Sequence, residues 1–431
     1  MRRLLFLVIA LFLLTSAYGQ KLALEDCIKL AMQRSPDLRI ADMQLKDAKS
    51  AMKGSYGTIL PHVSFGSGLT RQTQGPKEYI IGGYAVSRGD TTTSYFDAGV
   101  SYYQNLYDGG KWWNTIKLAK NSYDGVVENR DLSRQVLIST VTEKFYEVLK
   151  AQELLKVYQK SLESSSEQVS KTEQLLKIGQ VAQKDLFKAQ VNEGNDKLNV
   201  VRQKAVLKSS LSALNIAMGR KPNEMLEVYE DVYKQSEVVS VENAVTDAIN
   251  DNRALKALRI DKQTAFLNYK VEKGNMFPAI SGSFSYNRGG SEFSKLFSEF
   301  DKSWNTSLGL NISYPIFSGF YRRSKIQQQY INYQTYDDRI EKKIIEIQND
   351  IQDLVLALNT YREIIEINEI NIVSAEEDLR LANEMYKLNS ATLLEVLDAQ
   401  VALTRAQWNL ITTKYDAKIA EVRLALITGN L

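Results

Sequence analysis

The 431-residue chain carries 54 Lys and Arg against 51 Asp and Glu, a formal charge of +3, a near-neutral balance that argues against a nucleic-acid binder, which normally shows a concentrated basic surface. One histidine and one cysteine exclude an internal disulfide and a Cys/His metal cluster. With only six prolines and long stretches free of both Pro and Gly, the chain points to helices longer than the roughly 8–20 residues usual in a compact domain.

In chain order, residues 1–19 have the layout of a secretory signal: Arg2 and Arg3, an apolar run from Leu4 to Leu14, then Ala17-Tyr18-Gly19. The run is well short of the roughly 20 residues of a spanning helix, so a mature start at Gln20 is expected. No Cys follows the cleavage point, which leaves no lipid-modified terminus there. Cys27 lies on an amphipathic helical pattern, where a lone thiol behaves as a small buried hydrophobe.

The first half then reads as a helix over 22–59, strands near 62–70 and 94–104, a very long helix over 110–175, a turn, and a helix over 184–218. The second half reads as a helix over 239–276, strands near 279–287 and 304–314, a long helix over 321–387, a turn, and a helix over 392–427. Leu137, Val141, Phe145, Val148, Leu155, Tyr158 and Leu162 recur mostly three or four apart, the spacing of one helical face. At about 1.5 Å per residue the long helices reach on the order of 100 Å, more than any ordinary core requires.

The halves also match in sequence. Leu24-Glu25 corresponds to Val241-Glu242, and Leu60-Pro61-His62-Val63-Ser64 to Phe277-Pro278-Ala279-Ile280-Ser281, both at an offset of 217. From Leu106-Tyr107-Asp108-Gly109 and Ile316-Phe317-Ser318-Gly319 onward the offset is 210; it carries Ala189-Gln190-Val191 onto Ala399-Gln400-Val401 and Gly219 onto Gly429. The expected organisation is therefore a signal over 1–19 and two repeats, 20–229 and 230–431, intertwined in one domain.

The strand segments alternate strictly. Trp304, Thr306, Leu308, Leu310, Ile312 and Tyr314 alternate with Asn305, Ser307, Gly309, Asn311 and Ser313, and Ile280 to Tyr286 alternates likewise with serines. Alternation over about 9–11 residues fits a membrane-spanning barrel strand; a sheet half buried on a soluble core shows the same pattern. Aromatics gather where strands meet helices, at Tyr102, Tyr103, Tyr107, Trp112 and Trp113 and again at Tyr314, Phe317, Phe320 and Tyr321, as in an interfacial belt. Four strands cannot close a barrel, and an open edge cannot face lipid. Either the protein is not in a membrane or several copies share one barrel.

The repeated layout, the two Leu/Phe-Pro helix ends and the turns at Tyr107-Asp108-Gly109 and Phe317-Ser318-Gly319 resemble the TolC family of outer-membrane factors. So does the segment from Tyr386 to Gln400, with its weaker copy from Leu176 to Gln190. The family commonly has Gly where this chain has Asn389, and Gly179 keeps the usual residue. The resemblance implies a mainly α protein with a membrane β-barrel portion. Three protomers would give four strands each to one twelve-stranded barrel, continued by long antiparallel helices as a periplasmic α-barrel. It implies a passive duct in the outer membrane, serving a tripartite efflux or type I secretion system with a periplasmic adaptor and an inner-membrane pump. The region near 219–238 and the C-terminus would form a belt around the tunnel.

The family motif further implies that Glu395, Asp398 and the equivalent Asp185 stand at the tunnel entrance, where rings of carboxylates favour cations. Acids in the first turns of a helix are also favoured by its dipole alone. Gly179, Gln180, Val181, Asn389, Ser390 and Ala391 would be the adaptor-facing turns. No enzymatic role is expected: His62 stands alone at a helix-to-strand junction, no nucleotide-binding glycine loop appears, and Asp337-Asp338 and Glu376-Glu377 read as solvated faces. No cofactor is implied. The competing reading is an exported structural or adaptor coiled coil without a pore, whereas a single-chain porin would need many more strands.

Overall fold

The computed structural model describes residues 21–229, 240–298, 300–388 and 390–431. The expected signal, Gln20, Asn389 and residues 230–238 of the 219–238 segment lie outside the described residues. Internal contacts divide the chain into two units, one of Met1–Met43, Glu128–Ala257 and Ile340–Leu431, the other of Gln44–Val127 and Leu258–Arg339. Among the described residues no helix is long and apolar enough to cross a membrane.

The first unit is helical. It opens with β1 (Lys21–Leu22) and α1 (Leu24–Arg34), whose acidic first turn and basic last turn suit the helix dipole. A single helix was expected over 22–59, but Pro36 forces its predecessor out of the helical region. Ser35 therefore ends α1, and α2 (Pro36–Ser55) starts afresh with Pro in its first turn and the Leu38 N–H donating to Ser35 Oγ at 3.4 Å. The second half breaks at the equivalent place without a proline. Here α3 (Lys111–Lys177), α4 (Gln183–Ala217) and β6 (Glu227–Val228) precede α5 (Val241–Asp251) and α6 (Arg253–Gly274). Asn252, between the last two, accepts from Leu255 N at 2.9 Å and donates to Ile427 O at 2.9 Å. The strand β1 pairs in parallel with β6, Leu22 opposite Val228, a contact the sequence reading did not foresee.

Val141, Phe145 and Val148 of α3 pack with Cys27, Leu214 and Met218 in one core cluster. Burying side chains of this size contributes about 1.5–3 kcal/mol each. Of the expected stripe, Leu137 is also buried, while Leu155, Tyr158 and Leu162 are half-buried. A second cluster joins Ala244, Ala248 and Leu255 to Ile347, Ile351 and Val355 of α7 (Tyr321–Lys387) and Leu424 of α8 (Leu393–Thr428). The helix ends repeat too. Arg220 N donates to Asn215 O and Asn430 N to Ala425 O, each at 2.8 Å, around Gly219 and Gly429 at φ 70° and 81°. A Cβ on either glycine would meet a carbonyl at 2.7 Å, that of Arg34 or of Asp251.

The second unit holds an antiparallel four-stranded sheet of β2 (His62–Gln74), β5 (Thr91–Tyr107), β7 (Ala279–Gly290) and β8 (Trp304–Ser313), in that order. The central seam pairs Phe96 with Gly290 through Tyr107 with Ile280, with a register shift at Asn105/Tyr107. Both strands of the first half run several residues beyond the alternating stretch. Between them stands a further hairpin of β3 (Lys77–Ile81) and β4 (Tyr84–Arg88), where a loop was expected. Its two-residue turn needs positive φ at both positions, supplied by Gly82 and Gly83 at 60° and 88°.

Candidate channel entrance

The two helix turns of the first unit are built alike. Gly179 adopts φ 74°, which needs little steric compromise in glycine, and lets Gln180 N donate to Leu175 O at 2.9 Å. In the other turn Ser390 N donates to Met385 O at 2.8 Å. These six-to-one bonds satisfy carbonyls that a helix end leaves orphaned. Beneath the turns Val169 and Ala189 pack with Tyr386, Leu393, Val396 and Leu397. The Lys171 ammonium lies 5.2 Å from the centre of the Tyr386 ring; burial, then the neighbouring Lys387, pushes its pKa down, and burial pushes the Tyr386 hydroxyl up. Gly179, Gln180 and Ser390 are exposed at the turns, with Val181 and Ala391 half-exposed.

The three acids expected at the entrance have different surroundings. Glu395 accepts from Thr392 N at 2.8 Å while its own N–H donates to Thr392 Oγ1 at 3.4 Å, a reciprocal capping box that starts α8. Asp185 accepts from Ala182 N at 3.3 Å; Ala182 has no side-chain oxygen to return the bond, so only half of the box exists. Asp398, one turn into α8, is exposed and borders two open grooves. The first, about 600 Å³, is lined on its far side by Lys184, Phe187 and Lys188. The second, about 560 Å³, includes Asp378, Asn368 and Arg405. Glu395 lines neither of these grooves. Lys184 and Asp378 were not singled out from the sequence, because only the pairing of α4 and α7 with α8 brings them beside Asp398; Arg405 stands on α8 itself, about two turns beyond Asp398, a spacing that was readable but passed over.

The expected aromatic belt lies in the second unit. Trp112 and Trp113 stack at 4.6 Å, Phe317 and Phe320 meet edge to face at 5.6 Å, and Tyr107, Trp113, Tyr314 and Phe317 are exposed. The Tyr102 hydroxyl donates to the Gln104 side chain. At the turn into α3, Asp108 Oδ2 accepts from Trp112 N at 3.0 Å, and Gly109 packs so closely on Gly274 O that a Cβ would meet it at 2.3 Å. Among the described residues no group of three or more His, Cys, Asp or Glu is placed to hold a metal ion.

Helices of this length, capped alike at two turns, and a sheet of alternating strands fit a channel-type protein of the bacterial envelope. The family described as "Outer membrane efflux protein" matches residues 27–220 and 244–430. The outer membrane protein TolC of Vibrio cholerae is 23% identical over 432 residues, 99% of this chain and 95% of that one. TolC of Salmonella enteritidis is 22% identical over 445 residues, covering 100% and 87%. The solved Campylobacter jejuni CmeC outer membrane channel superimposes with a TM-score of 0.84 at 16% identity, over 94% of this chain and 85% of that one. The chain belongs to the outer membrane efflux protein family. It is a mainly helical outer-membrane channel component of an efflux system, and the family is one of channels and transport rather than enzymes.

Proposed function

We propose that the chain is one subunit of a homotrimeric passive duct leading from the periplasm to the exterior, working with a periplasmic adaptor and an inner-membrane pump in tripartite efflux or type I secretion. The observation that carries this reading is the sheet. It is four-stranded, its outer strands β2 and β8 pair on one side only, and exposed Leu308, Leu310 and Ile312 alternate with polar residues along β8. Unpaired backbone is not viable in lipid, so other copies must complete the ladder; three copies bring twelve strands, within the even-numbered range of outer-membrane barrels. Tyr102, Tyr107, Trp112, Trp113, Tyr314 and Phe317 then mark the membrane interface. The long helices continue as a periplasmic α-barrel.

The intertwined repeats 20–229 and 230–431, preceded by a signal over 1–19, belong to the same proposal. The two family matches, 27–220 and 244–430, support the duplication, as do the hydrogen bonds that recur 210 residues on: Gln180 to Leu175 with Ser390 to Met385, and Arg220 to Asn215 with Asn430 to Ala425. The turns holding Gly179, Gln180, Val181, Asn389, Ser390 and Ala391 face the adaptor, and Glu395, Asp398 and Asp185 stand around the entrance.

The test is current across a planar lipid bilayer after addition of the detergent-solubilised oligomer. Discrete, stable conductance steps are expected; repeated silence from a folded trimer would favour a structural coiled coil instead. For the entrance, Asp398→Asn with Glu395→Gln should raise conductance and weaken cation preference. Gln at position 395 retains the capping-box acceptor, so an unchanged current would remove both acids from the gate.

A further inference from the structure

The β2–β5 pair outruns the sheet it belongs to. Its contact with β7 ends at Phe96 opposite Gly290, yet the ladder continues from Thr70 opposite Tyr95 to Gln74 opposite Thr91. Five residue pairs at about 3.4 Å each carry the β2–β5 ladder roughly 17 Å past its last pairing with β7, at the end of the sheet away from the helices. Beyond it the ladder is interrupted on both strands, at Gly75-Pro76 and at Gly89-Asp90, before β3 and β4 pair as a separate two-stranded sheet. That tip hairpin also has five residue pairs. A reversal at the two Gly-containing breaks therefore returns the turn at Gly82-Gly83 to the level at which the four-stranded sheet ends.

The tip is not a polar loop. From Tyr79 to Val86 it carries no charge, and Ile80 and Tyr84 are 80% and 79% exposed. Residues directly opposite in an antiparallel pair share a face, and every second residue returns to it. One face thus carries Lys77 opposite Arg88, then Tyr79 opposite Val86, then Ile81 opposite Tyr84. The order is cation, aromatic and aliphatic, aliphatic and aromatic end, with no acid on that face; Glu78 and Ser87 lie on the other. Like charges directly opposite one another destabilise a hairpin, and among the described residues neither cation has an ion-pair partner. An external anion would relieve that repulsion. Basic groups at headgroup level with Tyr and aliphatic residues beneath are the composition of a segment lying in an anionic lipid interface.

We propose that the 77–88 hairpin folds back at Gly75-Pro76 and Gly89-Asp90 and lays its Lys77/Arg88 face on anionic lipid at the outer surface of the membrane. The proposal rests on the orientation given above, with the helices in the periplasm and the strand loops outside.

The experiment uses the full chain with Ile81→Cys carrying an environment-sensitive nitrobenzoxadiazole dye; Cys27, at 0% exposure, stays unlabelled. The protein is reconstituted in phosphatidylcholine liposomes with and without phosphatidylglycerol. In anionic liposomes the dye should shift to the blue, be quenched by nitroxide-bearing lipid and be shielded from iodide, and all three effects should be lost in Lys77→Glu with Arg88→Glu. Iodide quenching without nitroxide quenching in both liposome types would overturn the proposal. Equal burial in neutral and anionic liposomes, or in the charge-reversed variant, would overturn recognition of anionic lipid. Disulfide-linked dimers of the unlabelled Ile81→Cys protein would assign the tip to a sister copy instead. Conductance of the same liposomes reads the channel separately: its absence would count against the duct, whereas normal conductance with a water-exposed dye would count against the anchor alone.

Discussion

Cys27 has no exposed surface, and its thiol pKa is pushed up to about 12, chiefly by burial and secondarily by Asp26. A free thiol ionises near pH 8.5, so native protein at pH 9 should resist iodoacetamide while denatured protein reacts readily. Because the folded pKa is the higher one, the stability linked to this proton is fully present below about pH 8.5 and is lost as pH rises toward 12; Cys27→Ala should flatten that alkaline decline in thermal unfolding. The glycines offer a second comparison. Gly179 and Gly219 both have positive φ, but a Cβ at Gly179 meets open space and one at Gly219 meets the Arg34 carbonyl at 2.7 Å. Gly179→Ala should cost about 1–2 kcal/mol of backbone strain, and Gly219→Ala distinctly more, measured by unfolding in detergent. The helical face that buries Cys27 was legible in the residue spacing. At Glu395 the acid itself was noticed, yet Thr392-Leu393-Leu394-Glu395 also spells a capping box, which engages that carboxylate with its own helix start.

Among the elements, the long helices and the four main strands were legible because their periods are uninterrupted, 3.6 in one case and 2 in the other. The breaks were not read correctly. Pro36 was a visible stop signal, and Asn252 a readable cap residue, since the bond it accepts from Leu255 N is local; only its donation to Ile427 O, from the far end of the chain, was hidden. The β3–β4 hairpin also carried its own signal, Gly82-Gly83 between apolar residues. By contrast the β1–β6 pair joins residues too far apart for any local pattern to announce it. The cap on α8 allows a direct measurement: Thr392→Ala should cost about 1 kcal/mol, seen as faster amide exchange at Val396 and Leu397 with little change in the core around Phe145.

For the whole molecule, both edges of the sheet carry unpaired backbone, and composition alone could not say what covers them; only the argument from lipid requires further copies. Cysteines placed pairwise along Ser64–Gly68 of β2 and Ser307–Asn311 of β8 should yield covalent trimers on mild oxidation, with a two-residue periodicity in efficiency. Bands only at the monomer position across the scan would count against a shared barrel. The acids expected at the entrance were legible only as acids; that Asp398 shares a groove with Lys184 and Lys188 follows from helix pairing that no single segment encodes.

The seam between β5 and β7 also has a temporal meaning. The outer pairs β2–β5 and β7–β8 each join neighbouring stretches of chain, but Phe96 finds Gly290 only across nearly half of the polypeptide. Closing so large a loop is slow, and it cannot begin until the second half has emerged. A chain cut short after residue 229 would thus present its first hairpin to the envelope with no seam to join, a ready substrate for proteolysis rather than half a channel.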